Sequence, residues 1–326
     1  MKICVYGAGA IGGHLAARLA KAGESVSVIA RGAHLAAMQD RGLTFVGHDQ
    51  RFTVHPLATD DPAEAGPQDL VIVAVKAPAL PEAADRIGPL LGPETPVVFA
   101  MNGIPWWYFH QLPGPHRDRR LERVDPDGRI WRQIGPERAI GCVVYSANEV
   151  TEPGVVHNES ARNRYILGEP DGTVSARCRH LSEALVKGGV EAPVAADIRA
   201  AIWAKLAGNV AFGPTAALTG ATLDAIGKDP ELNQLGRQMV AETAAVAAAL
   251  GVKLGPELDR IMDPNLPRPA HKPSLLQDLE RGRPMEIDGM LGTLQDLARL
   301  ANVPTPQFDA VLALLQQRAR MAGLYR

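Results

Sequence analysis

Glycines near the start of the chain have the spacing of a phosphate-binding turn. Gly7, Gly9 and Gly12 follow the apolar stretch 2–6 as G-x-G-x-x-G and precede a helical pattern. The first glycine of such a turn permits a sharp bend, the second lets the backbone approach a pyrophosphate, and the third lets the helix pack against the sheet. We therefore predict a dinucleotide site, the alternative being a glycine-rich turn without a ligand. The predicted cofactor-binding residues are Gly7, Ala8, Gly9, Ala10, Ile11 and Gly12.

The residue at the end of the second predicted strand indicates which dinucleotide binds. An NAD site usually places Asp or Glu there, about 20 residues past the glycines, to hold the ribose 2′-hydroxyl. After the strand 25–30 this chain has Arg31 instead. A guanidinium binds a 2′-phosphate through paired, charge-assisted hydrogen bonds, so Arg31 favours NADP. The alternative is that Arg31 only caps an exposed turn, which leaves the preference open.

Two further polar residues follow predicted parallel strands. Lys76 comes after the apolar run 70–75, and Asn102 comes after the strand 96–100. Ligands of open α/β sheets bind beyond the carboxyl ends of the strands, so both residues are predicted near the cofactor. The alternatives are a solvated lysine and an ordinary Asn-Gly turn.

A lysine on a predicted helix over 197–212 has the strongest chemical signal. Asp197 is expected in the first turn of that helix, where the helix dipole favours an acid. None of the neighbours of Lys205 at helical spacing is acidic; they are Ile198, Ala201, Ile202, Gly208, Asn209 and Phe212. Desolvation on this face would lower the pKa of Lys205 toward that of a general acid, and Asn209 could bind the same ligand. The alternative is that Lys205 extends past the small side chains to solvent.

A serine and a glutamate in the stretch 272–291 form a second candidate group. Ser274 precedes a predicted helix over 273–281 and could cap it. Glu286 is expected on a helix over 284–302, where it could orient the lysine or bind a substrate hydroxyl. The alternative for Glu286 is a first-turn acid stabilised by the helix dipole.

The pattern of elements predicts an α/β Rossmann-type domain followed by an all-α domain. A chain of 326 residues exceeds the usual size of one core. Strands are predicted as far as residue 195, including a hairpin of 43–46 with 51–55 and a continuation of the sheet through 140–145, 155–157 and 165–167. After a boundary at 196 only helices are predicted, over 197–212, 229–250, 257–263, 273–281, 284–302 and 305–321. The predicted domains are 1–196 and 197–326.

Residues 104–139 depart from this pattern. Four consecutive aromatic residues, 106–109, precede a stretch of mixed Arg, Asp and Glu, with a turn signal at 124–129 between two strand-like pieces. We expect an inserted hairpin that packs over the site or against a second subunit, and a solvated excursion is the alternative.

Composition excludes several classes of protein. A net charge of −2 gives no electrostatic basis for binding nucleic acid or an anionic membrane. No targeting segment is visible, and no apolar run reaches the roughly 18 residues of a membrane span. The three cysteines are widely spaced, which fits neither a disulfide framework nor a zinc site and is typical of a cytoplasmic protein.

Together these motifs resemble the ketopantoate reductase (2-dehydropantoate 2-reductase) family. The residues that carry the resemblance are GAGAIGG at 7–13, Arg31, VKA with Lys76, NG with Asn102, the W-x-K-L-x-x-N helix of 203–209, and the S-x-L-Q-D…E-I-D run of 274–288. The resemblance implies NADPH-dependent reduction of a 2-oxo acid to D-pantoate, for pantothenate and coenzyme A synthesis.

The resemblance also implies roles for individual residues. Lys205 matches the catalytic lysine, and Glu286 matches an acid that supports it near substrate and cofactor. Asn102 and Asn209 match polar positions around nicotinamide and substrate, while Ser274 matches a substrate-binding serine. Arg31 and Lys76 match cofactor-binding positions.

Three departures from the family pattern leave the substrate open. Gly213 and His271 stand where asparagines often occur, and the segment 104–139 is longer than usual. A reductase of another 2-oxo acid and a non-catalytic NADP-binding regulatory protein therefore remain as alternatives. Helical second domains of this superfamily often dimerise, which leaves a homodimer open.

Overall fold

Strands and helices alternate through the first part of the chain, and helices alone make up the rest. The computed structural model describes residues 1–48, 50–263, 268 and 270–325. They form two units, Met1–Ile198 and Arg199–Arg326.

The first unit is built on a seven-stranded sheet. Its order is β11-β8-β7-β6-β1-β2-β5, and β11 is the only antiparallel strand described in it. The strands are β1 (Lys2–Tyr6), β2 (Ser25–Ile29), β5 (Leu57–Thr59), β6 (Leu70–Val73), β7 (Val97–Ala100), β8 (Ala139–Tyr145) and β11 (Arg164–Gly168). The described helices of this unit are α1 (Ala10–Lys21), α2 (Gly32–Arg41), α3 (Pro62–Ala65), α4 (Leu80–Arg86), α5 (Arg129–Gln133) and α6 (Ala176–Lys187).

The order of the strands reverses at β1. From β1 the chain adds β2 and β5 on one side and then returns to add β6 and β7 on the other. Such a switch point leaves a crevice at the carboxyl ends of the strands, where ligands of this fold bind. The strands β6 and β7 are buried along their whole length, as their continuous apolar sequences predict. The predicted Rossmann-type architecture is confirmed.

A second, four-stranded sheet has the order β4-β3-β10-β9. Its strands are β3 (Leu43–Val46), β4 (Arg51–Val54), β9 (Asn148–Glu152) and β10 (Val155–Asn158). The hairpin of β3 and β4 is confirmed, although Asp49 in its turn lies outside the described residues. The expectation that 155–157 continues the main sheet is wrong, because β10 pairs with β3. An apolar strand pattern does not specify which sheet the strand joins.

The segment 104–139 contains no strand before β8 begins at Ala139, so the predicted hairpin is wrong. It folds as turns, the helix α5 and two short 3-10 helices, Pro126–Gly128 and Pro136–Arg138. The alternative of a solvated excursion is also wrong for its aromatic residues, because Trp106, Trp107, Tyr108 and Phe109 are buried. Asp125 holds the turn by accepting hydrogen bonds from the N–H groups of Ile130 and Trp131 at 2.7 and 3.0 Å.

The second unit is helical where it is described. Its α-helices are α7 (Ile198–Thr219), α8 (Leu223–Lys228), α9 (Pro230–Ala249), α10 (Pro256–Met262), α11 (Ser274–Glu280), α12 (Thr293–Leu300) and α13 (Pro306–Met321). A π-helix, Asp288–Gly292, leads directly into α12. Side chains of α7, α8, α9 and α11 form one buried cluster that includes Phe212, Ile226, Val240 and Leu276.

Several predicted helix boundaries need correction. The helix α7 begins after Asp197 and continues to Thr219, with Pro214 inside it, rather than ending at 212. The helix predicted from 284 begins only at Ile287, and α8 was not predicted. The buried apolar residues after Gly213 and Pro214 keep the chain helical, although the proline removes one backbone hydrogen bond. Among the described helices, none has the length and apolar character needed to cross a bilayer.

The buried aromatic cluster predicts a large stability effect. Trp106 packs edge-on against Phe99 and Trp131, with ring centroids 5.4 and 5.9 Å away. We expect Trp106→Ala to lower the free energy of unfolding by about 3–5 kcal/mol, because it removes a buried ring and leaves a cavity. Denaturant unfolding measures the change. Val186→Ala on α6, whose side chain is 58% exposed, is the control and should stay within about 0.5 kcal/mol. A loss below about 1 kcal/mol for Trp106→Ala would contradict this packing.

Candidate active site

The glycine turn between β1 and α1 is closed toward the sheet and open at Gly9. Gly7 has a φ of +96°, and its N–H and that of Ala8 both donate to the carbonyl of Ile29 at 3.0 and 3.2 Å. A Cβ on Gly12 would overlap the carbonyl oxygen of Gly7, so only glycine lets α1 start this close to β1. A Cβ on Gly9 would meet no atom within 4 Å. The backbone is thus exposed to a ligand at Gly9.

The start of α1 is suited to an anion. Gly9 is the N-cap residue, and no side chain caps the helix. The N–H groups of Ala10, Ile11 and Gly12 lie in the first turn, where no intrahelical carbonyl is available to them. These groups and the helix dipole favour a phosphate at this position.

A pocket of about 180 Å³ lies beside the glycine turn. Sites for whole organic ligands usually measure 300–1,000 Å³, so this pocket accommodates one part of a dinucleotide. Its walls come from the glycine turn, the end of β2, and α4 with the residues before it. The lining residues are Tyr6, Gly7, Ala8, Gly9, Ile29, Ala30, Arg31, His34, Val75, Ala79, Glu82, Ala83 and Arg86. The structure therefore brings Arg31 to one pocket with Gly7, Ala8 and Gly9, whereas Ala10, Ile11 and Gly12 do not line it.

Charged groups meet at one wall of this pocket. Nη1 of Arg31 donates to both carboxylate oxygens of Glu82 at 3.0 and 3.4 Å. Burial raises the pKa of the Tyr6 phenol, and the charges of Arg86, Glu82 and Arg31 also act on that pKa. Glu82 was not identified from the sequence, since nothing in its local pattern places α4 against the end of β2.

His34 connects the glycine turn to Gly154 through hydrogen bonds of both ring nitrogens. The N–H of Gly154 donates to Nδ1 of His34 at 2.9 Å, so this nitrogen carries no proton. The proton of the neutral ring is therefore on Nε2, which lies 2.7 Å from the carbonyl oxygen of Ala8 and donates to it. His34 was also not predicted. Its position one turn after Arg31 on an amphipathic helix is the only local signal.

Lys76 and Asn102 lie beyond the carboxyl ends of two neighbouring strands. In the sheet Val73 is paired with Phe99, which brings the ends of β6 and β7 side by side. Both residues are exposed, and neither lines the pocket described above.

In the second unit, α7 carries Lys205 and Asn209 one turn apart. Lys205 is half-buried, and burial lowers its pKa from 10.5 to about 8. The cause is desolvation of the ammonium, which disfavours the charged form. A lysine with this pKa can donate a proton near neutral pH more readily than an ordinary surface lysine.

Asn209 connects α7 to the segment that follows Glu286. Its Nδ2 donates to the thioether sulfur of Met290 at 3.7 Å, and Met290 belongs to the π-helix. The sequence predicted that Glu286 lies on a helix, but it lies immediately before the helix that starts at Ile287. The carboxylate of Asp288, two residues later, accepts a hydrogen bond from the hydroxyl of Tyr325 at 2.9 Å. Glu286 itself is half-buried. The hydrogen bond between Asp288 and Tyr325 fixes the chain two residues after it.

Ser274 does not cap a helix, in contrast to the prediction. It is the first residue of α11, Pro273 occupies the N-cap position, and the Ser274 side chain is exposed. The next residue, Leu275, approaches α7 at Gly213, where an added Cβ would lie 3.5 Å from its Cδ1. The carbonyl of His271 accepts a hydrogen bond from the N–H of Leu223 at the start of α8. The beginning of α11 and the Glu286 segment therefore both lie along α7.

Two family models match nearly the whole chain. "Ketopantoate reductase PanE/ApbA" matches residues 3–172, and "Ketopantoate reductase PanE/ApbA C terminal" matches residues 197–319. The chain belongs to the ketopantoate reductase family. The resemblance that the sequence motifs indicated is confirmed, and with it the assignment to oxidoreductases.

Ketopantoate reductases of several bacteria are similar to this chain over their full length. The 2-dehydropantoate 2-reductase of Mesorhizobium japonicum is 48% identical, with all of both chains covered. A crystal structure from Ralstonia solanacearum is 41% identical with a TM-score of 0.90 and covers 99% of each chain. The 2-dehydropantoate 2-reductase of Geobacter metallireducens is 27% identical, covers 97% of this chain and 99% of its own, and has a TM-score of 0.84.

The glycine turn predicts two different effects of the same substitution. We expect Gly12→Ala to destabilise the protein, because its Cβ would overlap the Gly7 carbonyl. Gly9→Ala should leave the unfolding temperature nearly unchanged and weaken dinucleotide binding at least ~10-fold, because its methyl group would occupy the space that a phosphate needs. Thermal unfolding and titration with reduced dinucleotide measure the two effects. Unchanged affinity in Gly9→Ala would show that the pyrophosphate does not lie at this turn.

Proposed function

We propose that this protein reduces a 2-oxo acid with NADPH, and that the acid is 2-dehydropantoate, which becomes D-pantoate. The observation that carries the proposal is the half-buried Lys205 with a pKa of about 8 on α7 of a ketopantoate reductase fold. The full-length similarity to 2-dehydropantoate 2-reductases supports the substrate. The reaction would serve pantothenate and coenzyme A synthesis. A cytoplasmic location is part of the proposal, since all three thiols are buried and none forms a disulfide.

Lys205 is the proposed general acid. The bound dinucleotide supplies a hydride to the carbonyl carbon of the substrate. Negative charge then develops on the carbonyl oxygen, where the Lys205 ammonium stabilises it and donates the proton that completes the hydroxyl. A lowered pKa helps this transfer because the proton leaves a desolvated ammonium more easily.

The remaining predicted residues bind and position the reactants. We propose that Glu286 holds Lys205 and a substrate hydroxyl, and that Ser274 helps hold the carboxylate. We assign Asn209 and Asn102 to binding of the substrate. We also assign Asn102 and Glu286 to binding of the cofactor near its nicotinamide. The positions of Asn209, Ser274 and the Glu286 segment along α7 support this grouping.

The residues of the first unit fit an NADP-type cofactor. The pyrophosphate would be held by the backbone of Gly7–Gly12, where Gly9 leaves open space and the first turn of α1 offers N–H groups. Arg31 lines the adjoining pocket and would bind a 2′-phosphate. Lys76 is the second cationic side chain that we assign to cofactor binding. The preference for NADPH over NADH rests on Arg31.

A second candidate is the reduction of a different 2-oxo acid. It is favoured by Gly213, which stands where the family resemblance implies an asparagine and which leaves space on α7 beside Leu275. The chemistry at Lys205 would be the same, and only the acyl group would differ.

Replacement of Lys205 tests the mechanism. We expect Lys205→Ala to lower kcat for reduction at least ~10²-fold, because the general acid is lost. In the unsubstituted protein kcat/KM should fall as the pH rises through about 8, where Lys205 loses its proton. Lys228→Ala is the control, since that side chain is 77% exposed and forms an ion pair with Asp224 one turn earlier on the same helix. Normal turnover by a folded Lys205→Ala protein would disprove the mechanism.

A panel of 2-oxo acids tests the substrate. We expect kcat/KM for 2-dehydropantoate to exceed that for other branched 2-oxo acids by at least ~10-fold, as a difference of one or two contacts can produce. NADPH oxidation is followed by its absorbance. Gly213→Asn, with Gly213→Ala as the size control, shows how far this position sets the preference. A better alternative acid would replace the pantoate assignment and leave the hydride-transfer mechanism in place.

A further inference from the structure

The pocket beside the glycine turn is lined by a carboxylate, Glu82, as well as by the guanidinium of Arg31. NAD sites of this fold hold the ribose 2′-hydroxyl with a carboxylate at the end of the second strand. Here that strand ends with Ala30 and Arg31, but the structure brings the carboxylate of Glu82 from α4 to the same wall. The sequence does not predict this contact, because Arg31 and Glu82 belong to different crossover connections of the sheet.

The contact between Arg31 and Glu82 occupies the group that would bind a 2′-phosphate. One guanidinium nitrogen, Nη1, donates to both oxygens of Glu82. The two side chains are 65% and 56% exposed, so the ion pair is weak and can be displaced by a ligand. A 2′-phosphate carries close to two negative charges at neutral pH, so it would be repelled by the Glu82 carboxylate while it binds Arg31.

We propose that Glu82 is a residue that sets the choice between NADPH and NADH, an inference that rests on the proposed cofactor site. For NADPH, the 2′-phosphate must displace Glu82 from Arg31. For NADH, Glu82 can accept a hydrogen bond from the ribose 2′-hydroxyl while Arg31 keeps its partner. Glu82 thus lowers the affinity for NADPH, raises that for NADH, and narrows the preference that Arg31 alone would give.

Two other functions of Glu82 make different predictions. If Glu82 orients Arg31 for the phosphate, its removal weakens NADPH binding. If Glu82 only stabilises α4 as an acid in its first turn, its removal changes stability and leaves the ratio of the two affinities unchanged. The sign of the change in NADPH affinity therefore separates the three functions.

Glu82→Gln is the informative substitution, because it removes the charge and keeps the size and hydrogen-bonding capacity of the side chain. The dissociation constants of NADPH and NADH are measured without substrate, by protein fluorescence or calorimetry. Glu64→Gln is the matched control, since Glu64 is also an exposed first-turn acid of a short helix and does not line the pocket. Arg31→Ala, alone and combined with Glu82→Gln, tests whether the effect passes through Arg31.

We expect Glu82→Gln to tighten NADPH binding about 2–5-fold, the range of one exposed ion pair, and to weaken NADH binding. The gain for NADPH should shrink in the Arg31→Ala background and at high salt. Weaker NADPH binding, or an unchanged ratio of the two affinities, would overturn this inference alone. If the unsubstituted protein bound neither dinucleotide, the proposed function would fail as well.

Discussion

The close approach of α1 to β1 is the constraint on which the cofactor site depends. Gly12 faces the Gly7 carbonyl with no space for a side chain, so the helix begins where the strand ends. This contact aims the first-turn N–H groups at the open space beside Gly9. It is supported from two sides, by His34, which binds the Ala8 carbonyl, and by the buried hydrogen bond of 2.6 Å between His14 on α1 and the Tyr165 hydroxyl. Burial lowers the pKa of His14 to about 3, so this support stays uncharged.

In the helical unit, α7 has a comparable function. Gly236 of α9 lets the two helices approach closely, because a Cβ there would lie 2.7 Å from the Ala211 carbonyl oxygen of α7. The same helix α7 presents Lys205, whose pKa is lowered to about 8 by burial of the ammonium. The packing of the unit and the solvation of Lys205 therefore depend on one helix. A larger residue near Lys205 would alter both packing and solvation.

Much of the fold was predictable because the signals are local. Apolar strands bounded by turns, the glycine spacing and the helical periodicity after residue 196 depend on short windows of sequence. The conformation of segment 104–139 was not predictable from local sequence. The mixed charges around its aromatic residues do not reveal that the Trp106 ring packs against Phe99 and Trp131. The Arg31–Glu82 pair was also hidden, since it joins two distant parts of the chain. Motif spacing selected Lys205 and Glu286 as candidate residues, but the position of Glu286 outside the helix depends on how the π-helix begins.

The π-helix Asp288–Gly292 makes the register of this region sensitive to chain length. A π-turn contains one residue more than an α-turn and usually arises where a single residue has been inserted into an α-helix. Loss of one residue here would restore α-helical winding and rotate the residues before it by about 100° around the helix axis. Glu286 and Met290 would then face different directions with respect to α7. Relatives with one residue fewer between the glutamate and α12 would need a different side chain opposite Asn209, so the proposed substrate contacts would change with chain length at this point.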